Sequence, residues 1–167
     1  MSQSNGNQSA TNTNSALSFT LSQTSRDPPT LSVTLKNSSP DTSYTILKWG
    51  TPLDSAALNT NIFTLTDSST GVEIEQVGLM INRKMPPSPD ELITVAPSTQ
   101  EQVELVFDKP WMPDNKPAKY NVRATGTFQG LWDKAGGEVR EGEMMAYTNS
   151  SGSGKTWATN EVDMEVE

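Results

Sequence analysis

A chain of 167 residues with no histidine and no cysteine can build catalysis only from carboxylates, lysines and hydroxyls, because the usual thiol, triad and zinc routes need the side chains it lacks. Paired acids are the first candidates. Glu138, Glu141 and Glu143 crowd one irregular stretch, and two carboxylates about 5 to 10 Å apart in a cleft could hydrolyse a glycoside. Among twenty acidic residues such clusters also arise by chance, and a solvated acidic loop is the favoured reading. Asp108 and Asp114 lack the spaced Asp/Asn loop and glycine of a calcium site. Gly152-Ser153-Gly154-Lys155-Thr156 ends like a phosphate-binding loop, but Asn149 stands where that motif needs its first glycine, and no helix pattern follows. It reads as a Ser/Gly connector. No catalytic residue, metal ligand or cofactor is assigned.

Binding has better candidates in the four tryptophans. Trp49 ends a strand and Trp157 leads into one, so both are expected in the core. Trp111 sits in Lys109-Pro110-Trp111-Met112-Pro113 and Trp132 in Gly130-Leu131-Trp132-Asp133, loop contexts where a large amphipathic ring is costly to expose without use. Trp111 and Trp132, with Pro110 and Met112, are therefore the expected partner-binding residues. Loops tucked over the end of the fold are the competing structural explanation. The proline-rich segment from Met85 to Asp90 is either a recognition strip or a stiff connector, and the connector is favoured. Asn7-Gln8-Ser9, Asn37-Ser38-Ser39 and Asn149-Ser150-Ser151 match the glycosylation sequon, as a Ser- and Asn-rich chain does by chance.

The elements that would position these residues are strands. Leu17, Phe19 and Leu21 alternate with polar residues, a first strand ending before Arg26-Asp27-Pro28-Pro29; Leu31, Val33 and Leu35 repeat the pattern. Asn37 to Asp41 breaks it with turn formers. Tyr44 to Trp49 carries bulk on both parities, as a deeply buried strand does, before Gly50 and Pro52 stop it. The pair from Thr30 to Trp49 is either a β-hairpin or a β-arch between two sheets. Leu53 to Thr60 has room for one helical turn. Ile62 to Asp67 and Val72 to Val77 flank a Ser/Thr/Gly turn and read as a hairpin, with Leu79 to Lys84 continuing the meander. Further strands fall at Leu92 to Val95, Val103 to Phe107, Tyr120 to Thr125 and Val162 to Val166. Gln129 to Lys155 has no period and is a long excursion with a ragged hairpin. The last strand is guarded against edge pairing by its acidic outward positions.

Hydrophobic residues make up 33% and charged residues 19% of the chain, a turn-rich β composition. Short strands with turns and no crossover helices predict an all-β, antiparallel immunoglobulin-like β-sandwich of seven to nine strands. Residues 1–15, nearly devoid of apolar groups, are expected to be a disordered polar tail, and residues 16–167 a single domain. The net charge of −8 argues against nucleic acid and against an anionic membrane surface. No run approaches the roughly 18 apolar residues of a spanning helix. The N-terminus has neither the basic nor the apolar region of a secretory signal, so the expectation is a cytoplasmic chain, extracellular only by a leaderless route.

Several words together resemble the immunoglobulin-like N-terminal accessory domain that precedes the catalytic domain of deuterolysin-type and peptidyl-Lys metalloendopeptidases: Thr30 to Trp49 with Leu47-Lys48-Trp49-Gly50-Thr51-Pro52-Leu53-Asp54 at its end, Ile62-Phe63, Leu92 to Pro97, Lys119 to Arg123 and Thr159 to Val162. The resemblance spans about Leu17 to Val166. It implies an immunoglobulin-like fold and a non-catalytic accessory or inhibitor-like role with a protein partner, a peptidase among the candidates. It implies no peptidase activity here, since the His-Glu-x-x-His zinc helix has no counterpart. The alternatives are a carbohydrate-binding module stacking sugars on Trp111 and Trp132, and a carboxylate-based hydrolase.

Overall fold

A computed structural model of the protein describes residues 16–78 and 81–167; the N-terminal tail expectation and part of the Leu79 to Lys84 segment lie outside these residues. Ten strands follow in order: β1 (Leu17–Arg26), β2 (Pro29–Asn37), β3 (Tyr44–Leu47), β4 (Phe63–Asp67), β5 (Leu92–Val95), β6 (Gln100–Val106), β7 (Ala118–Thr127), β8 (Leu131–Trp132), β9 (Thr156–Ala158) and β10 (Val162–Val166). The excess over the expected seven to nine comes from β8 and β9, two and three residues long, too short to show a period. One short helix, α1 (Glu141–Met145), lies in the excursion.

All pairings are antiparallel. β1-β2-β6 form one sheet, β10-β7-β4 a second with β9 also on β7, and β5-β3-β8 a third. The alternation seen in the sequence becomes the core: Phe19, Leu21, Leu31, Val33 and Leu35 from the first sheet meet Phe63, Leu65, Tyr120, Val122 and Met164 from the second. This is the inward-facing layer of an immunoglobulin-like sandwich. β3 is buried on both faces. Ile46 joins the main core, whereas Leu47 points into a second cluster with Trp49, Trp132 and Val139.

β2 pairs with β1 and β6 while β3 pairs with β5 and β8, so Thr30 to Trp49 is a β-arch. Asn37 latches it. Fully buried, its Nδ2 donates to the carbonyls of Thr42 at 2.8 Å and Val95 at 2.9 Å, and its Oδ1 accepts from Ser39 N–H at 2.9 Å. The latch supplies hydrogen bonds that no ladder can make where the chain leaves one sheet for another.

Several expectations change: β3 ends at Leu47 rather than Trp49, residues 81–84 carry no strand, and the 129–155 excursion holds short helical turns rather than a hairpin. β1 runs through Arg26 rather than stopping before it. Val72 to Val77 is not a full strand: it touches β4 through one bridge, Thr66 to Glu73, with Val72 and Val77 exposed. Its alternation is a local pattern, whereas a ladder needs a matched partner. Gln76 instead caps the edge of β4, its Nε2 donating to the Phe63 carbonyl at 2.6 Å. A 3-10 turn, Ala57–Asn59, takes the place foreseen for a helical turn.

Candidate functional site

The most densely bonded polar site grows from the turn that ends β3. Gly50 there adopts φ +75°, the left-handed region that favours glycine, and a Cβ would also have to displace the Gln129 side-chain nitrogen, 2.8 Å away. Thr51 Oγ1 donates to the Lys48 carbonyl at 2.7 Å and accepts from Leu53 N–H at 3.2 Å. The turn thereby drives Asp54 inward, 2% exposed, where Gly50 N–H and Ala56 N–H donate to its carboxylate at 3.2 and 3.0 Å. A buried carboxylate also needs a countercharge. Arg83 provides it, with Nη2 to Oδ2 at 2.6 Å and Nη1 to Oδ1 at 3.3 Å, the two-pronged geometry that guanidinium favours.

Trp49 holds this pair in place. Its ring lies under the Arg83 guanidinium, 5.1 Å from carbon to centroid, a cation–π contact. The Tyr147 ring meets it edge-on, centroids 5.7 Å apart. The indole N–H donates to a Glu91 carboxylate oxygen, while the Glu91 carbonyl accepts from Lys48 N–H at 2.8 Å. The 83–91 loop is thus fastened at Arg83 and Glu91, and between them Pro87 is buried. Met85, 54% exposed, is presented to solvent on this fixed loop. A cleft of about 220 Å³ beside it is lined by Trp49, Asn82, Arg83, Lys84, Pro86, Ser88 and Glu91. Sequence reasoning missed the Asp54 to Arg83 pair, which spans 29 positions; the distinctive word containing Asp54 was its only signal.

The expected binding residues separate. Trp111 and Met112 are half-buried against the main core, Pro110 is exposed, and Met112 N–H closes their turn on the Lys109 carbonyl at 2.9 Å. Trp132 corrects its expectation: it is 4% exposed and packs with Leu47, Trp49 and Val139. Its strand β8 pairs with β3, Thr45 opposite Trp132, and the excursion then folds over it. Trp111 and Trp132 therefore serve different cores and make no shared stacking platform.

The acids are held by structural bonds. Glu138 and Glu141 are exposed. Glu143 accepts from Arg140 N–H at 2.9 Å and Lys134 Nζ at 2.6 Å, and these two bonds, the backbone one first, pull its carboxyl below the usual range. Asp67 is likewise pulled down by the Ser69 hydroxyl and backbone N–H. A glycosidase acid must be pushed up to hold its proton at neutral pH, so both move the wrong way. A second cleft of about 570 Å³ includes Asp67, Lys119, Glu165 and Glu167, but Arg26 sits at 3.4 and 2.9 Å from the last two. Among the described residues no three acids gather to hold a metal.

The chain belongs to an immunoglobulin-like domain family, whose model matches residues 16–166. It is also similar to an uncharacterized secreted protein of Arthroderma benhamiae, 29% identical over 110 residues, covering 64% of this chain and 55% of that protein. The chain spans about half the length of that relative. The expectation of a cytoplasmic location is overturned by this relative, which is secreted. No described helix is long and apolar enough to cross a membrane.

Proposed function

We propose that the chain is a non-catalytic, extracellular binding module whose partner is a protein. One observation carries this reading: the richest cluster of charged and aromatic groups, Asp54, Arg83, Trp49 and Glu91, is consumed by bonds within the fold. Groups so committed are poor proton carriers but good scaffolding. What they fix is the loop bearing Met85, and an exposed apolar side chain on a preorganised loop lowers the ordering cost of association. The secreted relative supports the compartment.

The finer form of the reading is an accessory or inhibitor-like partner of a peptidase, supported by the resemblance in the Leu47 to Asp54 word. Its test is affinity capture from the culture fluid of the source organism on three baits: the unaltered chain, Met85→Asp, and Val72→Asp as an equally exposed control. A secreted protein kept by the first and third and lost by the second supports the loop as the binding surface, and its identity as a peptidase supports the finer form. Equal retention on all three overturns the loop assignment. Turnover of protein or glycan substrates by the purified chain overturns the non-catalytic reading.

A further inference from the structure

The two described sequons have opposite fates in the fold. At Asn37 every required group is committed: the amide nitrogen donates to carbonyls of two separate segments, and the hydroxyl two residues on, Ser39 Oγ, accepts from Thr42 N–H at 3.0 Å. At Asn149 both are open. Asn149 closes the 3-10 turn Tyr147–Asn149, is exposed, and is followed two positions later by exposed Ser151; among the described residues neither side chain has a hydrogen-bond partner. The residue between them does the anchoring instead. Ser150 Oγ accepts from Leu131 N–H at 3.0 Å and donates to the Tyr147 carbonyl at 2.7 Å, so the turn is fixed without using the two groups the modification needs.

We propose that Asn149 carries an N-linked glycan and that Asn37 does not. This inference rests on the extracellular reading. In the step itself, Nδ2 of Asn149 bonds to the anomeric carbon of an oligosaccharide held on a lipid-linked pyrophosphate. The carbon–oxygen bond to that pyrophosphate breaks, the pyrophosphate leaves with the bonding pair, and the amide loses one proton. Transfer acts on the emerging chain, which offers either sequon; the fold then decides what survives. A sugar on Asn37 would replace one of the two N–H donors of a fully buried nitrogen, so that one of the Thr42 and Val95 carbonyls loses its partner, the costly case for a buried polar group. A sugar on Asn149 disturbs no bond. Asn149 itself lines a cleft of about 360 Å³ with Trp132, Lys134, Glu143 and Ser150, so a sugar there lies against the least periodic part of the chain.

The test expresses the full chain behind a secretory leader in yeast, which supplies the compartment whatever the natural route. The secreted and the membrane-enclosed fractions are both treated with peptide-N-glycosidase and mapped by mass spectrometry. The expected result is a glycan on the Asn149 peptide, an unmodified Asn37 peptide in the secreted fraction, and loss of the Asn149 glycan in both Asn149→Gln and Ser151→Ala. An unmodified Asn149 peptide in both fractions overturns the proposal, as does a glycan on Asn37 in secreted, folded protein. Neither outcome touches the extracellular reading, which is tested separately by finding the untagged natural protein in culture fluid or in cells.

Discussion

The two hydrophobic cores are built on different rules. The main core is periodic: strands β1, β2, β4, β7 and β10 each contribute every second residue, and burial follows from the pleat. The second core, Leu47, Trp49, Trp132 and Val139 with Leu92, Met144 and Tyr147 against it, draws on the end of β3 and the turn after it, on the start of β5 and on the 129–155 excursion. Its members come from a strand end, a turn, a two-residue strand and helical turns. A periodic core tolerates loss of one contributor because neighbours on the same strand keep the sheet registered. The aperiodic core depends on a few large side chains and on a close glycine contact; a Cβ at Gly130 would lie 3.0 Å from the Trp132 ring and 3.2 Å from Leu47 and Tyr147 side-chain atoms.

The largest effect should come from Trp49→Ala, which removes a buried ring from the second core, the platform under Arg83 and the donor to Glu91 together. We expect a loss of about 4 kcal/mol in urea unfolding, within the range for truncating a buried aromatic. A loss no greater than that of Leu65→Ala in the main core would break the claimed difference. Next is Arg83→Met, which keeps an apolar stem over Trp49 but leaves Asp54 buried without its countercharge, for about 3 kcal/mol. The double variant Arg83→Met with Asp54→Asn should recover part of that loss. A double variant as unstable as the sum of the single ones would show that the pair is not coupled.

Trp132→Ala and Trp111→Ala sharpen the contrast between a buried and a half-buried tryptophan. The first should cost about 3 kcal/mol and the second under about 1.5 kcal/mol, read by the same unfolding midpoints. Near-equal losses would restore Trp132 to the surface role its sequence context suggested. The smallest effect separates the two depressed acids, Glu143 beside the second core and Asp67 at the end of β4. For both, the folded carboxyl titrates below its unfolded value, so their stabilisation is present above about pH 4 and is lost as pH falls through the folded value. Salt should distinguish them. Part of the Glu143 effect comes from Lys134 and is screened, whereas Asp67 depends on the Ser69 hydroxyl and backbone bonds. Titration by NMR at low and at about 1 M salt should move Glu143 upward and leave Asp67 in place; equal movement would show that Lys134 is not a distinct contributor.

The same contrast explains what was legible. Leu31, Val33 and Leu35 announced their strand because an inward face repeats every two residues, and the immunoglobulin-like sandwich follows from several such strands. Val72 and Ile74 carried the same local pattern, but the pairing with β4 extends over one bridge only, Asp67 N–H to the Val72 carbonyl and Ile74 N–H to the Leu65 carbonyl, so the hairpin is shorter than the alternation suggested. Trp132 was misplaced because its burial comes from residues 139–147 folding back over β8, an event with no local signature. Asp54 sat in the most distinctive word of the chain, yet nothing near it pointed to Arg83. Trp111 lies in a loop, as its Pro-Trp-Met-Pro setting suggested, but half-buried against the main core.

The seam between β1 and the end of the chain works through borrowed amides. Asn160 Oδ1 accepts from Leu21 N–H at 2.7 Å while its Nδ2 donates to the Leu21 carbonyl at 3.1 Å, and Gln23 reciprocates with Glu165 N–H and its carbonyl at 2.9 and 2.7 Å. Two side-chain carboxamides thus stand where peptide groups of a neighbouring strand would stand. A rotamer change can release them, whereas a ladder opens only by moving backbone, so this seam is expected to open before the ladders on either side of it. Hydrogen exchange should reveal it as a gradient, with the amides of Leu21 and Glu165 exchanging faster than the ladder amides of β2 and β7, and tension applied to the C-terminal end should part the domain there first.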